Sequence, residues 1–147
     1  MLDRIPRRST QALRTILALS LLLTATLAFA ATRLIKVDKG GTINVGPGVN
    51  FVVPPNALEE DTEISVDMVR TDDGIDFCFG PSGTTFDPPA ELRMTWQAIK
   101  GTGKATDPED IRLYNEDGEE IETEPEIRKW GVIWRIPHFS LYYYRRR

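Results

Sequence analysis

Residues that build disulfides and metal centres are scarce in this chain. Its 147 residues include one cysteine, Cys78, and one histidine, His138. A single cysteine excludes an internal disulfide, and one cysteine with one histidine gives too few ligands for a zinc site. We therefore expect no cofactor, no metal and a fold held by its apolar core. We expect Cys78 to be a packed, inert thiol, and the alternative is a dimerisation point.

The chain also lacks the basic excess that nucleic-acid binding requires. It contains 18 lysines and arginines against 22 aspartates and glutamates, a net charge of −4. Residues 31–147 alone hold 14 basic and 21 acidic side chains, a net charge of −7. Because a phosphate backbone demands a basic footprint, we expect no nucleic acid partner. The acidic excess favours the solubility that a secreted protein needs.

A third absence is that of helical periodicity. No window of helical length carries apolar residues at i, i+3, i+4 and i+7, and the helical candidates are single turns at 56–58 and 107–110. Short runs instead alternate apolar and polar residues, among them 64–68, 92–96 and 132–136. The pattern predicts an all-β fold, an antiparallel sandwich of short strands. We expect four residues to lie in its core: Leu92, Met94, Trp96 and Trp134.

One turn signal in the C-terminal half of the chain is strong. Asp117-Gly118 is typical of a tight hairpin turn. It predicts a hairpin between a strand at Ile111–Asn115 and a second strand around Ile121.

The first thirty residues differ in character from the remainder. Four arginines precede an apolar run from Ile16 to Leu27, which ends on Ala28-Phe29-Ala30, the small-x-small pattern of a signal peptidase site. The run is shorter than the ~20 residues that span a bilayer core. The pattern predicts a signal peptide helix over 1–30, cleavage between Ala30 and Ala31, and a single domain over 31–147. We expect a secreted or periplasmic protein, and the alternative is an uncleaved anchor.

Several segments resemble functional motifs without meeting their requirements. Gly101–Thr106 has Ala105 where a phosphate-binding loop needs a serine or threonine. The acidic stretches 72–76 and 115–120 do not fit the spacing of a calcium loop, although a calcium- or carbohydrate-binding surface is a third hypothesis. The tail Tyr142–Arg147 carries three charges, which are marginal for membrane binding. We therefore expect membrane contact only through the signal segment.

Three segments taken in order resemble one family. They run from Gly40-Gly41-Thr42-Ile43 to Val53–Leu58, then over Phe79–Leu92, and last over Pro137–Tyr142. Together they resemble the ZU-five domain, the β-sandwich module of ankyrins, netrin receptors and zonula occludens proteins, which also occurs in exported bacterial proteins. The resemblance implies an interaction module with a protein partner. Independently, we expect the prolines of these segments to end strands or to lie at sheet edges.

The resemblance also implies a chemical step. Some relatives among death-domain proteins and inflammasome sensors cut their own chain within a sequence similar to His138-Phe139-Ser140. When this mechanism is carried over to the present chain, Ser140 is the nucleophile, Phe139 supplies the carbonyl and His138 is the base. The alternative is an ordinary strand with Phe139 packed inside and the other two side chains outside. Two functions follow: a non-catalytic interaction or structural module, which we favour, and a self-processing domain that cleaves the Phe139–Ser140 bond.

Overall fold

Ten strands and one short helix form the described part of the chain in a computed structural model. The described residues are 28–71, 74–100, 111–115, 125–139 and 142–146. The helix α1 spans Trp96–Lys100. The strands are β1 (Ala28–Ile35), β2 (Gly41–Gly46), β3 (Val49–Val53), β4 (Thr62–Arg70), β5 (Gly74–Gly80), β6 (Thr85–Thr95), β7 (Ile111–Asn115), β8 (Glu126–Arg128), β9 (Gly131–His138) and β10 (Tyr142–Arg146).

The strands form two five-stranded antiparallel sheets. Sheet I has the order β2-β3-β6-β9-β8, and sheet II has the order β1-β4-β5-β10-β7. The predicted all-β antiparallel sandwich is confirmed. The predicted signal peptide helix lies outside the described residues.

The core between the sheets follows the alternation in the sequence. β4 buries Ile64, Val66 and Met68 and turns the intervening residues outward. Leu92 and Met94 of β6 and Trp134 of β9 have no exposed surface, which confirms them as core residues. Among the side chains that the structure describes, no polar or charged one is buried. The hydrophobic effect therefore holds the two sheets together.

The prediction for Trp96 is wrong, because β6 ends one residue earlier. Thr95 lies at the start of α1, where its hydroxyl accepts the N–H of Ala98 at 3.2 Å. A threonine in this position satisfies a free N–H of the first helical turn and starts the helix. Trp96 is consequently the first residue of α1 and packs half-buried against the edge of the core.

Glycine and proline shape the strands of sheet I. Gly48 has a φ of +74° in the turn between β2 and β3, a conformation that glycine adopts without strain. Pro88 and Pro89 lie inside β6, a central strand, and not at a strand end or sheet edge as predicted. The pairing of β6 with β9 shifts register between Thr85 and Ala90, so the prolines occupy an irregular stretch. They can lie there because such a stretch leaves backbone N–H groups outside the regular ladder.

The predicted strand Ile111–Asn115 is confirmed as β7. It pairs with β10 at the edge of sheet II. The expected hairpin turn at Asp117-Gly118, the strand around Ile121 and the helical turn at 107–110 lie outside the described residues. The segment 56–58 is described, and the helical turn expected there is wrong, because Asn56 has a left-handed φ of 59° and the segment forms a non-helical turn.

Candidate functional site

The candidate cleavage sequence lies where the chain passes from one sheet to the other. His138 is the last residue of β9 in sheet I, is exposed, and pairs with Thr85 of β6. Phe139 follows it, and β10 begins at Tyr142 in sheet II. Ser140 lies outside the described residues. The candidate bond therefore belongs to the crossover between the sheets and precedes the last strand.

The ring of Phe139 is held in a cluster of aromatic side chains. Phe139 is 3% exposed. Its ring stacks on Phe79 at a centroid distance of 5.1 Å and meets Phe86 edge-on at 4.9 Å. Phe51 lies tilted against it at 5.5 Å. Contacts of this kind add about 0.5–1.5 kcal/mol per pair to the burial of the rings. Phe139 is therefore packed inside, as in the alternative of an ordinary strand, but it lies between β9 and β10 and not within a strand.

The backbone of Phe139 is fixed as well as its ring. Its N–H donates to the carbonyl oxygen of Thr84 at 2.7 Å. Thr84 in turn donates from its hydroxyl to the carbonyl oxygen of Pro81 at 2.7 Å, which closes the turn before β6. This turn and the crossover belong to two of the segments that resemble the ZU-five family. The structure thus brings these segments into direct contact and immobilises the residue that would supply the carbonyl.

A second candidate site is a row of charges on the outer face of sheet I. At its centre Glu91 of β6 binds two arginines. Its Oε2 accepts from the Nε of Arg93 at 2.8 Å, and its Oε1 accepts from Arg135 of β9 at 2.5 Å. The side chain of Glu91 is only 12% exposed, while those of the two arginines are 42% and 49% exposed. The carboxylate is therefore held between two guanidinium groups.

The row continues to the edge of the sheet. Arg135 also contacts Glu126 of β8 at 3.3 Å, and Glu126 pairs with Arg128 on the same strand. We call these five residues the charged face: Glu91, Arg93, Glu126, Arg128 and Arg135. Ile133 pairs with both Arg93 and Glu126 in the ladders and is 7% exposed, although it lies outside the central core cluster. The charged residues therefore cover an apolar side chain on the outside of the sandwich.

Sequence reasoning did not identify the charged face. Alternation does assign Glu91, Arg93 and Arg135 to the outward side of their strands. However, Glu91 and Arg135 are 44 positions apart, and only the pairing of β6 with β9 places them opposite each other. The sequence signal was a charged residue on both sides of the buried Leu92 and on one side of the buried Trp134.

The predicted signal peptidase site lies within β1. Ala28 and Ala30 are exposed and pair with Val69 and Asp67 of β4, and Ala31 is half-buried. The sandwich thus begins three residues before the expected domain start. Cleavage at the predicted bond would shorten β1 and leave its pairs from Ala31 onward.

The prediction for Cys78 as a packed thiol is wrong. Cys78 lies on β5 between the buried Phe77 and Phe79, so alternation directs it outward, where it is exposed opposite Asp67 of β4. The two phenylalanines on either side of Cys78 were the sequence signal for this position.

The remaining motifs give little further structure. The loop Gly101–Thr106 and most of the two acidic stretches lie outside the described residues. Within the described ranges, no group of three or more histidine, cysteine, aspartate or glutamate side chains is arranged to hold a metal ion. Over the same ranges, no helix is both long and apolar enough to span a membrane.

Comparisons with protein-family models, with curated proteins and with solved structures found no match.

Proposed function

We propose that this chain is an exported, non-catalytic β-sandwich that binds a protein partner through its charged face. The observation that carries the proposal is the fixed row of alternating charges across β6, β9 and β8. A sheet face with ordered charges loses little conformational freedom on binding. The order of the charges then discriminates among partners, because like charges brought together across an interface are unfavourable.

Two further observations support the proposal. The resemblance to the ZU-five family implies an interaction module, and the N-terminal signal pattern implies export.

A crosslinking experiment in exporting cells tests this function. A photoreactive residue replaces Asn50, which lies on β3 opposite Arg93 on the outer side of sheet I. A matched control carries the same residue at Ser65 of β4, on the outer side of sheet II. We expect a discrete adduct with a second protein from position 50 and none from position 65.

A charge exchange then tests the role of the charged face in this adduct. The double variant E91R/R135E keeps an ion pair between β6 and β9 but places like charges next to each other at positions 91 and 93 and at positions 126 and 135. We expect it to fold and to lose the adduct. An adduct of undiminished yield from a folded E91R/R135E chain contradicts the proposal.

A second candidate function is self-processing at Phe139–Ser140, and the fixed position of Phe139 favours it. In this reaction the Ser140 hydroxyl attacks the Phe139 carbonyl carbon while His138 takes up its proton. The peptide bond between the two residues breaks, the Ser140 nitrogen gains a proton, and an ester joins the fragments. Water then opens the ester to a Phe139 carboxylate and a free hydroxyl. An oriented neighbouring nucleophile lowers such a barrier by about 7–11 kcal/mol.

Denaturing mass spectrometry tests this second function. Cleavage gives fragments that end at Phe139 and begin at Ser140, which a native assay would miss if β10 stays bound. Ser140→Ala should leave the chain whole, and Ser140→Cys should still permit cleavage because a thiol can make the same attack. His138→Ala should slow the reaction by about 10²–10⁴-fold. A single intact mass after days at neutral pH would falsify self-processing.

A further inference from the structure

One end of the sandwich collects several strand ends from both sheets. β1 starts there at Ala28, which pairs with Val69 near the end of β4. On sheet I, β6 ends at Thr95 opposite Gly131, where β9 starts. A hydrogen bond of 2.7 Å from Arg70 to the carbonyl oxygen of Ala98 joins the end of β4 to α1. These elements therefore lie at one end of the molecule, which we call the proximal end.

Most described charged residues of the proximal end are basic, and the carboxylates among them are Asp76, opposite Val69, and Glu126, which binds Arg128. Arg70 ends β4, Lys100 ends α1, and Arg128 and Lys129 lie at the turn between β8 and β9. The last strand ends here too, since Arg145 pairs with Gly74 and Arg146 with Ile111. The segments 72–73 and 101–110, which lie outside the described residues, add five carboxylates and Lys104 by sequence.

The turn between β8 and β9 exposes apolar and basic side chains together. Ile127 is 46% and Trp130 is 45% exposed, and Arg128 and Lys129 between them are exposed as well. We call Ile127–Trp130 the hairpin tip. Lysine, arginine and tryptophan in one exposed segment are typical of the interface between water and lipid, where tryptophan is enriched and basic groups meet anionic lipids.

The hairpin tip is held in place by Trp96. The indole N–H of Trp96 lies 3.1 Å from the carbonyl oxygens of both Arg128 and Lys129, and its backbone N–H donates to Trp130. Gly131 follows the tip, and a side chain there would collide with the carbonyl of Met94. The hydrogen bonds of Trp96 and the close packing at Gly131 therefore hold the tip in its exposed position.

The opposite end of the sandwich is acidic. The turn between β1 and β2, the loop before β4 and the first residues of β6 lie there. Their exposed charged residues are five carboxylates against two lysines: Asp38, Glu59, Glu60, Asp61, Asp87, Lys36 and Lys39. Asp61 accepts the N–H of Val37 at 2.9 Å, which ties two of these loops together. The described part of the sandwich thus has a basic end and an acidic end.

The apolar run from Ile16 to Leu27 is joined in the chain to the proximal end of the sandwich. It immediately precedes Ala28, the first residue of β1. The one strongly apolar segment of the chain is thus joined to the end that carries the basic groups and the exposed tryptophan. During export, before any cleavage, this end is the part of the domain next to the bilayer.

We propose that the proximal end docks on an anionic lipid surface through the hairpin tip, with Trp130 at the lipid interface and Lys129 against lipid phosphates. Lys100, which is exposed, supplies further positive charge at this surface. The acidic end then points away from the lipid, because it is repelled by the same surface. The inference rests on the proposed export, which brings the domain to a membrane, and it leaves most of the charged face open to a protein partner.

Fluorescence of the full chain in lipid vesicles tests this orientation. Cys78→Ser removes the native thiol, and an environment-sensitive dye is attached through Lys129→Cys at the tip or, as a matched control, through Lys39→Cys at the acidic end. Vesicles contain phosphatidylglycerol or only phosphatidylcholine. We expect a blue shift and loss of iodide quenching at position 129 in phosphatidylglycerol, and no change at position 39. Protection at 129 should be lost in phosphatidylcholine.

Variants separate this inference from the proposed protein binding. With the dye at position 128, through Arg128→Cys, the pair K129A/K100A should lower the ratio of docked to undocked chains roughly 30-fold, since each basic group contributes about a factor of five to six. Equal iodide quenching at positions 129 and 39 in phosphatidylglycerol overturns the inference. So does protection of position 129 without vesicles, which would indicate contact between copies of the chain. Neither outcome affects the crosslink expected from position 50, so each proposal can be refuted without refuting the other.

Discussion

The two sheets of this sandwich depend on different parts of the chain. Sheet I consists of strands that lie between Gly41 and His138, inside both predicted cleavage points. Sheet II contains β1, which spans the predicted signal peptidase site, and β10, which follows the candidate self-cleavage bond. Sheet II is thus the sheet that either processing event would alter, while sheet I would remain covalently whole.

Loss of β10 would disrupt sheet II more than loss of β1. β1 is an edge strand, whereas β10 lies between β5 and β7 and pairs with both. Loss of an edge strand leaves its neighbour paired on the other side. Loss of β10 would separate β7 from the other described strands of the sheet. A cut before β10 is therefore compatible with the fold only if the strand stays bound.

The largest effect should come from removal of β10. A chain that ends at Phe139 should lose its cooperative unfolding transition in urea, because sheet II then lacks an interior strand. A chain that ends at Arg146 is the control and should unfold as the full chain does. Addition of the peptide 140–147 to the shortened chain should restore the transition, which fluorescence of Trp134 reports. A shortened chain that unfolds cooperatively without the peptide contradicts this role of β10.

The next largest effect belongs to sheet I. Trp134→Ala should lower the free energy of unfolding by about 3–5 kcal/mol, because the side chain is fully buried at the centre of the sandwich. The matched control is Trp130→Ala, which should change it by less than about 0.5–1 kcal/mol because Trp130 is 45% exposed. Chemical denaturation measures both values. Equal costs for the two tryptophans would show that the burial pattern assigned to β9 is wrong.

Trimming of β1 should have a smaller effect. N-terminal sequencing of exported protein should give Ala31 as the first residue. The processed chain should be less stable than one that begins at Ala28 by about 1–2 kcal/mol, because Phe29 is the half-buried apolar residue that is lost. Phe29→Ala in the longer chain should reproduce most of this loss. Recovery of only the full-length protein, in the membrane fraction, would contradict the cleavage.

The smallest effect should come from the charged face. Glu91→Gln should destabilise the protein by about 0.5–1 kcal/mol, since its arginine partners are largely exposed to water. The difference should shrink in 1 M salt, where charges are screened over about 3 Å. Glu126→Gln is the control at the sheet edge and should cost less, because its side chain is 36% exposed. A loss for Glu91→Gln that salt leaves unchanged would point to packing and not to charge.

Local patterns in the sequence predicted much of the fold and part of the site. Alternation identified Leu92, Met94 and Trp134 as core residues and Phe139 as a packed side chain. It failed at Trp96, because the capping side chain of Thr95 starts a helix that is only five residues long. A helix this short has too few turns to leave a periodic apolar pattern. The expectation of a packed Cys78 rested on the usual burial of free cysteine and gave less weight to the two flanking phenylalanines, whose alternation directs Cys78 outward.

The sequence by itself determined which side of each strand faces the core, because successive side chains of a strand alternate between two faces. It also determined the strongly apolar N-terminal run. Only the tertiary structure decided which strands are neighbours and in what register. That decision brought Glu91 opposite Arg135, Phe139 against three other phenylalanines, and the arginines of β10 to the same end as the hairpin tip. Pairings of this kind join residues far apart in the chain, and their energies depend on the whole set of contacts and not on any local pattern.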